Sequence, residues 1–272
     1  MRLNRDIMTA LVDEMLKSLE IREVKSLLSH EKVISHNLKR LKEAMLNIGH
    51  LVDPMIVDKD TGVVLDGNHR LKVLEIIECP YAVCQTVDYK SDDIKVGTWY
   101  PVMDLRAEEI LKLDSVKHEK VDYDAGRAAV DALKAPFMLV TKKDGCHLLN
   151  PGSYKLMEMV EEQNYIFSVL EKSAVDYVPA EELQKQIDNG RSVLFRRAYT
   201  KDEIVRAAQA HSPFPPKSTR HLIPGRIIRL NMKLGWLHRS PEEAEKELHS
   251  MLNSRVYSGN VRRYYEPVIV IY

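Results

Sequence analysis

The side chains best equipped for chemistry gather in Asp66-Gly67-Asn68-His69-Arg70, where a carboxylate, an amide, an imidazole and a guanidinium meet at one corner. The apolar run Val63-Val64-Leu65 leads in, and Leu71, Leu74 and Ile77 follow at helical spacing. A strand that feeds a tight turn and opens a helix aims backbone N–H groups and the positive end of a helix dipole at one point. Such a corner holds an anion such as a phosphate. Gly67 lets the backbone turn sharply or approach a ligand closely. Three further stretches carry reactive groups. His30-Glu31 puts a carboxylate in a loop, and Trp99 stands in the rigid aromatic segment Gly97-Thr98-Trp99-Tyr100-Pro101. Lys217-Ser218-Thr219-Arg220-His221 packs cations, hydroxyls and an imidazole together, a mixture suited to binding a carboxylate or phosphate through charge-assisted hydrogen bonds. Each stretch also has a plainer reading: a solvated turn, a solvated loop carboxylate, a core tryptophan and a basic surface loop.

Elements must carry these residues. Ile7, Leu11 and Met15 predict a helix near 4–17, and the alternation from Leu19 to Val24 predicts a strand. Leu38, Leu41, Met45 and Ile48 mark a helix face with Asn37 as its cap and Gly49 as its stop. Met55-Ile56-Val57 and Val63-Val64-Leu65 flank a hairpin turn at 59–62, Tyr81 to Val87 reads as a strand, and a helix is expected near 105–113. A second unit is expected to begin near 115. It should hold helices near 125–133, 152–163 and 179–188, strands flanking 142–145, and a strand from Tyr165 to Leu170. Thr200 with Glu203 forms a capping box for a helix to about 210, the loop 211–221 follows, and Ile227 to Met232 is strand-like. Ser240-Pro241-Glu242-Glu243 is a second capping box, and Pro267 to Tyr272 looks like a terminal strand. The short strands and variable connections favour an α+β fold, with domains expected at 1–114 and 115–272.

Composition narrows the function. The 272 residues carry 40 basic and 40 acidic side chains, so no global field draws the chain to nucleic acid or an acidic membrane. No apolar run is long enough to span a bilayer, and the acidic residues near the N-terminus do not suit a signal peptide. The three cysteines match no common zinc pattern and read as buried thiols in a reducing, cytoplasmic compartment. Phosphate-loop, dinucleotide-binding, H-E-x-x-H and G-x-S-x-G signatures are all absent.

Taken together, the His-Glu loop, the Asp-Gly-x-His-Arg turn, Thr-Trp-Tyr-Pro and Pro-Lys-Ser-Thr-Arg-His form a set. It resembles the free L-serine kinases of the ParB/sulfiredoxin-like superfamily, from about residue 19 to about residue 235. The resemblance implies a ParB/sulfiredoxin-like N-terminal domain that binds nucleotide. It also implies a second mixed domain that contributes the substrate loop, with the active site in the cleft between them. The implied reaction moves the terminal phosphoryl group of ATP or ADP to free L-serine, with Mg²⁺ held mainly by phosphates and water. Glu31 would accept the serine proton, and Asp66 would orient either the hydroxyl or the metal. Gly67, Asn68, His69 and Arg70 would cradle the donor phosphates. Trp99 would wall the serine site, and Lys217, Ser218, Thr219, Arg220 and His221 would close over the serine carboxylate or the transferring phosphate. In this turn Asn68 stands where the kinases more often carry a histidine. The expected partners are serine and nucleotide, without membrane or nucleic acid, and a monomer is favoured. The alternative is a ParB-like nucleotide-binding regulator associated with DNA, which should carry a helix-turn-helix and a basic face. A sulfiredoxin-type reductase would need a cysteine in the turn, where Asn68 and His69 stand.

Overall fold

The structure is a computed structural model that describes residues 5–170 and 175–264. The chain divides into two compact units. One takes the chain through Leu28, then Ile34–Tyr89 and the segment from Gly225 on; the other takes Ser29–Val33 and Lys90–Pro224.

The first unit opens with α1 (Arg5–Ser18), β1 (Leu19–Glu23), β2 (Leu28–Ser29), α2 (Ser35–Ile48) and β3 (His50–Leu51). It continues through β4 (Met55–Asp58), β5 (Val63–Asp66), α3 (Asn68–Ile76) and β6 (Tyr81–Val87). Its five-stranded sheet runs β1-β6-β4-β5-β2. β4 and β5 pair as the expected antiparallel hairpin, and β4 runs parallel to β6. Parallel neighbours need a crossover, and α3 belongs to it. β4 is buried along its whole length and β5 as far as Leu65, which is why both read as unbroken apolar runs rather than alternating ones. Leu71, Val73 and Leu74 seat α3 in the core, so the turn that precedes α3 is held at both ends.

The second unit opens with β7 (Lys95–Gly97), β8 (Tyr100–Met103), α4 (Ala107–Leu111), β9 (His118–Val121) and α5 (Tyr123–Asp131). β10 (Phe137–Thr141), β11 (Gly145–Leu149), α6 (Leu156–Leu170) and β12 (Val175–Val178) follow, then α7 (Leu183–Asp188), β13 (Ser192–Phe195), α8 (Lys201–Gln209) and β14 (Arg220–Leu222). Six strands form a sheet in the order β12-β8-β13-β10-β11-β9. Along β10, Phe137 and Leu139 join one apolar cluster while Met138 and Val140 join another. The period-two alternation of a strand therefore gives this sheet a core on each face. β14 pairs with β7, which brings Arg220 opposite Gly97. The chain then returns to the first unit as β15 (Met232–Lys233), α9 (Leu234–Leu237) and α10 (Pro241–Tyr257). Ala244, Leu248, Leu252 and Val256 of α10 enter the same core as Val12 and Met15 of α1.

Several expectations are corrected. The compact units do not follow a single cut near 115. β8 is an inner strand of the second sheet, and α10 buries its apolar face in the first unit; neither long-range pairing leaves a mark in local composition. Residues 165–170 are not a strand but the last turns of α6, whose buried Met159, Gln163, Ile166 and Leu170 keep helical spacing. Within 227–232 only Met232 is in a strand; Arg229 and Asn231 have positive φ, the Ile227 and Arg229 N–H groups donate to side chains, and the Asn231 N–H donates to the Val52 carbonyl. α2 starts at Ser35, ahead of Asn37, with Ile34 as its cap residue. The Thr200 capping box and the left-handed Gly49 after α2 are as expected. Ser240 caps α10 by accepting from the Glu243 N–H. The terminal strand expected over 267–272 lies outside the described residues.

Candidate functional site

In the first unit, β5 delivers Asp66 at its last position and α3 begins at Asn68, so Gly67 must make the whole reversal. Its φ of 109° is a region that side chains rarely adopt. A Cβ there would also lie 3.0 Å from Met55 Cγ and 3.2 Å from Arg70 Cζ. Glycine is thus required for conformation and for space. The helix presents its first turn and its positive dipole end at this corner. Asp66 Oδ2 accepts from Arg70 Nη2 at 2.9 Å and also from Arg226 Nη2. Arg70 Nη1 donates to the carbonyls of Asp53 and Pro54 at 2.8 and 2.7 Å. The Ile34 N–H donates to His69 Nε2 at 2.9 Å, so that nitrogen carries a lone pair and Nδ1 carries the proton. This bond pins the entry of α2 to the turn.

In the second unit, residues 217–219 wrap a carboxylate. Glu31 Oε1 accepts from the N–H groups of Ser218 and Thr219 at 2.7 and 3.0 Å and from Thr219 Oγ1 at 3.2 Å. Lys217, just ahead, has φ of 61°, the left-handed conformation that turns successive N–H groups toward one acceptor. Burial pushes the Glu31 carboxyl above its ordinary range, and the backbone donors of Thr219, Ser218 and Lys217 pull the other way without cancelling it. His30 Nε2 lies 2.8 Å from Thr219 Oγ1. Because that hydroxyl donates to Glu31, the imidazole is its donor, giving a directed chain from His30 through Thr219 to Glu31. His221 packs edge-on to His30 at 5.3 Å between ring centroids. Trp99 is flanked by two cations, Lys217 Nζ and Arg220 Cζ, each 5.4 Å from its ring centroid, and Arg220 also forms an ion pair with Glu181 at 2.9 Å.

The residues singled out in the sequence therefore assemble as two groups. Glu31, Trp99, Lys217, Ser218, Thr219, Arg220 and His221 converge in the second unit, while Asp66, Gly67, Asn68, His69 and Arg70 form the turn of the first. The loop expected to close over a substrate anion has its backbone N–H groups on the protein's own Glu31. Sequence reasoning missed Arg196, whose side chain is 1% exposed. Its guanidinium donates to Thr98 Oγ1 at 3.0 Å, to the Trp99 carbonyl at 2.8 Å and to the Lys217 carbonyl, and Thr98 Oγ1 donates to the Ser218 carbonyl at 2.9 Å. Arg196 thereby clips the tryptophan loop to the 217–219 loop. In the sequence Arg196 and Arg197 are a small basic pair, and nothing local marks one of the two as buried. Arg226 and Gln85 were missed as well, for the same reason.

Among the described residues no group of three or more His, Cys, Asp or Glu side chains gathers as a metal site. All three cysteines are free, and burial raises the thiols of Cys79 to about 11 and Cys84 to about 12, which keeps them unreactive. No described helix is long and apolar enough to cross a membrane.

No protein-family model matches the chain. Over 221 residues it is 25% identical to the ATP-dependent L-serine kinase of Staphylothermus marinus, an alignment covering 74% of this chain and 84% of that protein. Over 226 residues it is 26% identical to the ADP-dependent L-serine kinase SerK of Thermococcus kodakarensis, covering 78% and 90%. Among solved structures, a free serine kinase in complex with AMP superposes with a TM-score of 0.67 at 24% identity, covering 81% of this chain and 93% of that one. The chain shares the mixed α/β fold of that kinase.

Proposed function

We propose that this chain is a nucleotide-dependent kinase that phosphorylates free L-serine to O-phospho-L-serine. One observation carries the reading: a half-buried carboxylate with a raised pKa, Glu31, held by the backbone donors of a loop that also presents Lys217, Arg220 and His221. A general base works best when its pKa approaches the working pH, and burial moves Glu31 that way. The two L-serine kinases to which the chain is similar supply the acceptor and the nucleotide donor.

In this reading the Asp66–Arg70 turn, in the ParB/sulfiredoxin-like part of the chain, takes the donor phosphates, and serine binds beside Trp99. The serine Oγ attacks the terminal phosphorus as its proton passes to Glu31. The bond from phosphorus to the bridging oxygen breaks, and the shortened nucleotide leaves with that electron pair. Phosphoryl transfer needs positioning and charge neutralisation more than covalent chemistry. Backbone N–H groups at the start of α3 supply part of that neutralisation. Trp99 walls the serine site, and the cations of Lys217 and Arg220 face the serine carboxylate or the transferring phosphate. The thin set of protein carboxylates suits Mg²⁺, which keeps several waters and takes its other ligands from phosphate. Asp66, a half-exposed hard oxygen donor, is the residue of the turn that would hold it; once bound, the ion neutralises phosphate charge.

Phosphorus NMR of the protein with Mg²⁺ and L-serine, given ATP or ADP in parallel tubes, tests the reading. A new phosphomonoester resonance is expected, and the productive tube identifies the donor. Absence of that resonance with both nucleotides would overturn the assignment.

A further inference from the structure

We propose that Arg226 is a phosphate ligand of the donor site, parked on Asp66 until the polyphosphate of a nucleoside di- or triphosphate takes it over. The inference rests on reading the Asp66–Arg70 turn as the donor-phosphate site. It begins with the cation that the sequence favoured there. Arg70 spends its guanidinium on the protein: Nη1 on the carbonyls of Asp53 and Pro54, and Nη2 on Asp66. Its side chain is only 16% exposed. Arg70 therefore builds the turn and has little left for a ligand.

Arg226 differs in each respect. Its side chain is 40% exposed, and its partner among the described residues is Asp66. Its backbone is nevertheless fixed. Gln85, 5% exposed, donates from Nε2 to the Gly225 carbonyl at 2.8 Å and accepts from the Ile227 N–H at 2.9 Å, gripping the chain on either side of Arg226. Asp53 Oδ1 accepts from the Arg229 N–H at 2.7 Å and holds the segment further along. A buried amide is tolerated only with its hydrogen bonds made, and here both go to anchoring this one residue. The fold thus fixes the base of an exposed arginine beside a helix N-terminus and leaves its head movable.

Charge completes the case. The Asp66 carboxylate is shared by two guanidiniums, so these three side chains together carry a net positive charge before the helix dipole is added. The guanidinium fork fits a carboxylate and a phosphate equally well, so exchange between them needs no new geometry. When Arg226 moves to phosphate, Asp66 is released for the serine hydroxyl or Mg²⁺. Nucleotide binding and the arming of Asp66 become one event.

The test is a double-mutant cycle on ADP affinity, measured by calorimetry in chelator so that no metal bridges Asp66 to phosphate. Arg226→Met is expected to weaken ADP binding about ten- to a hundredfold, as loss of a charge-assisted bond implies, with an unchanged melting temperature in the absence of nucleotide. Arg226→Lys, which keeps the charge without the fork, should fall between it and the parent. Asp66→Asn should tighten ADP binding in the parent but not in the Arg226→Met background, because only a competitor for Arg226 can be relieved. ADP affinity within twofold of the parent for both Arg226 variants would overturn the inference and leave the donor-site reading intact. Equal tightening by Asp66→Asn in both backgrounds would also overturn it, since that is plain charge repulsion. Failure of the unsubstituted protein to bind ADP would instead remove the donor-site reading on which the inference rests.

Discussion

Replacing Glu31 with Gln separates the chemistry of this residue from its place in the fold. The amide is isosteric, and its Oε1 can still accept from the N–H groups of Ser218 and Thr219 and from Thr219 Oγ1, now at 2.7, 3.0 and 3.2 Å. The loop should therefore keep its conformation while the base is lost. General-base catalysis is worth about 10²- to 10⁴-fold, or about 3–5 kcal/mol of barrier at 1.36 kcal/mol per factor of ten. Phosphoserine formation should fall by that factor, followed by phosphorus NMR, while ADP affinity by calorimetry stays within about twofold because no donor phosphate is assigned to Glu31. Stability should move the opposite way. The folded-state pKa of Glu31 lies above its ordinary value, so the unfolded chain gives up this proton at a lower pH than the folded one. Its contribution is then fully present below the ordinary carboxylate pKa and is lost as pH rises through the raised one. Above the raised pKa the ionised, half-buried side chain is a cost that Gln removes. The variant should melt no lower than the parent near pH 7, and its advantage should vanish in acid. The same shift places the acid limb of the pH–rate profile above the ordinary carboxylate range. Turnover within threefold of the parent, or a variant that melts well below it at neutral pH, would refute the assignment.

Other expectations follow from the same geometry. Arg196→Met strands the Trp99 and Lys217 carbonyls in a buried site and should cost about 3 kcal/mol in urea unfolding, at about 1–3 kcal/mol for each unpaired polar group; an unchanged midpoint would show that the clip is dispensable. Gly67→Ala forces a side chain into φ of 109° and against Met55 and Arg70. It should lower stability by about 1–3 kcal/mol, read from thermal melting, and should weaken nucleotide binding with it. Trp99→Ala removes the ring that Lys217 and Arg220 flank, so the KM for serine should rise more than the affinity for ADP falls, as steady-state kinetics beside calorimetry will show.

The amino-acid sequence by itself determined what a few adjacent residues can encode. Apolar runs around a glycine turn specify the hairpin of β4 and β5. Thr200 and Glu203 close their capping box within one helical turn, Gly49 ends α2 in the left-handed conformation, and Gly67 marks the corner where β5 meets α3. Such signals are legible because the physics that produces them is local. Tyr165 to Leu170 shows the limit: a short apolar run has the same composition in a strand and in the buried turns of a helix, and packing decides between them. The candidate site was legible as residue types and illegible as connections. Glu31 takes its backbone donors from 187 and 188 positions away, Arg196 meets the Trp99 carbonyl across 97, and Arg226 reaches Asp66 across 160. Whether an arginine builds a turn, clips two loops or waits for a ligand is set by which carbonyls and carboxylates surround its guanidinium. Those neighbours come from distant segments joined by burial of apolar surface, a non-directional force that leaves no local mark. Only the tertiary structure assigned Arg70 and Arg196 to architecture and left Arg226 exposed at the turn.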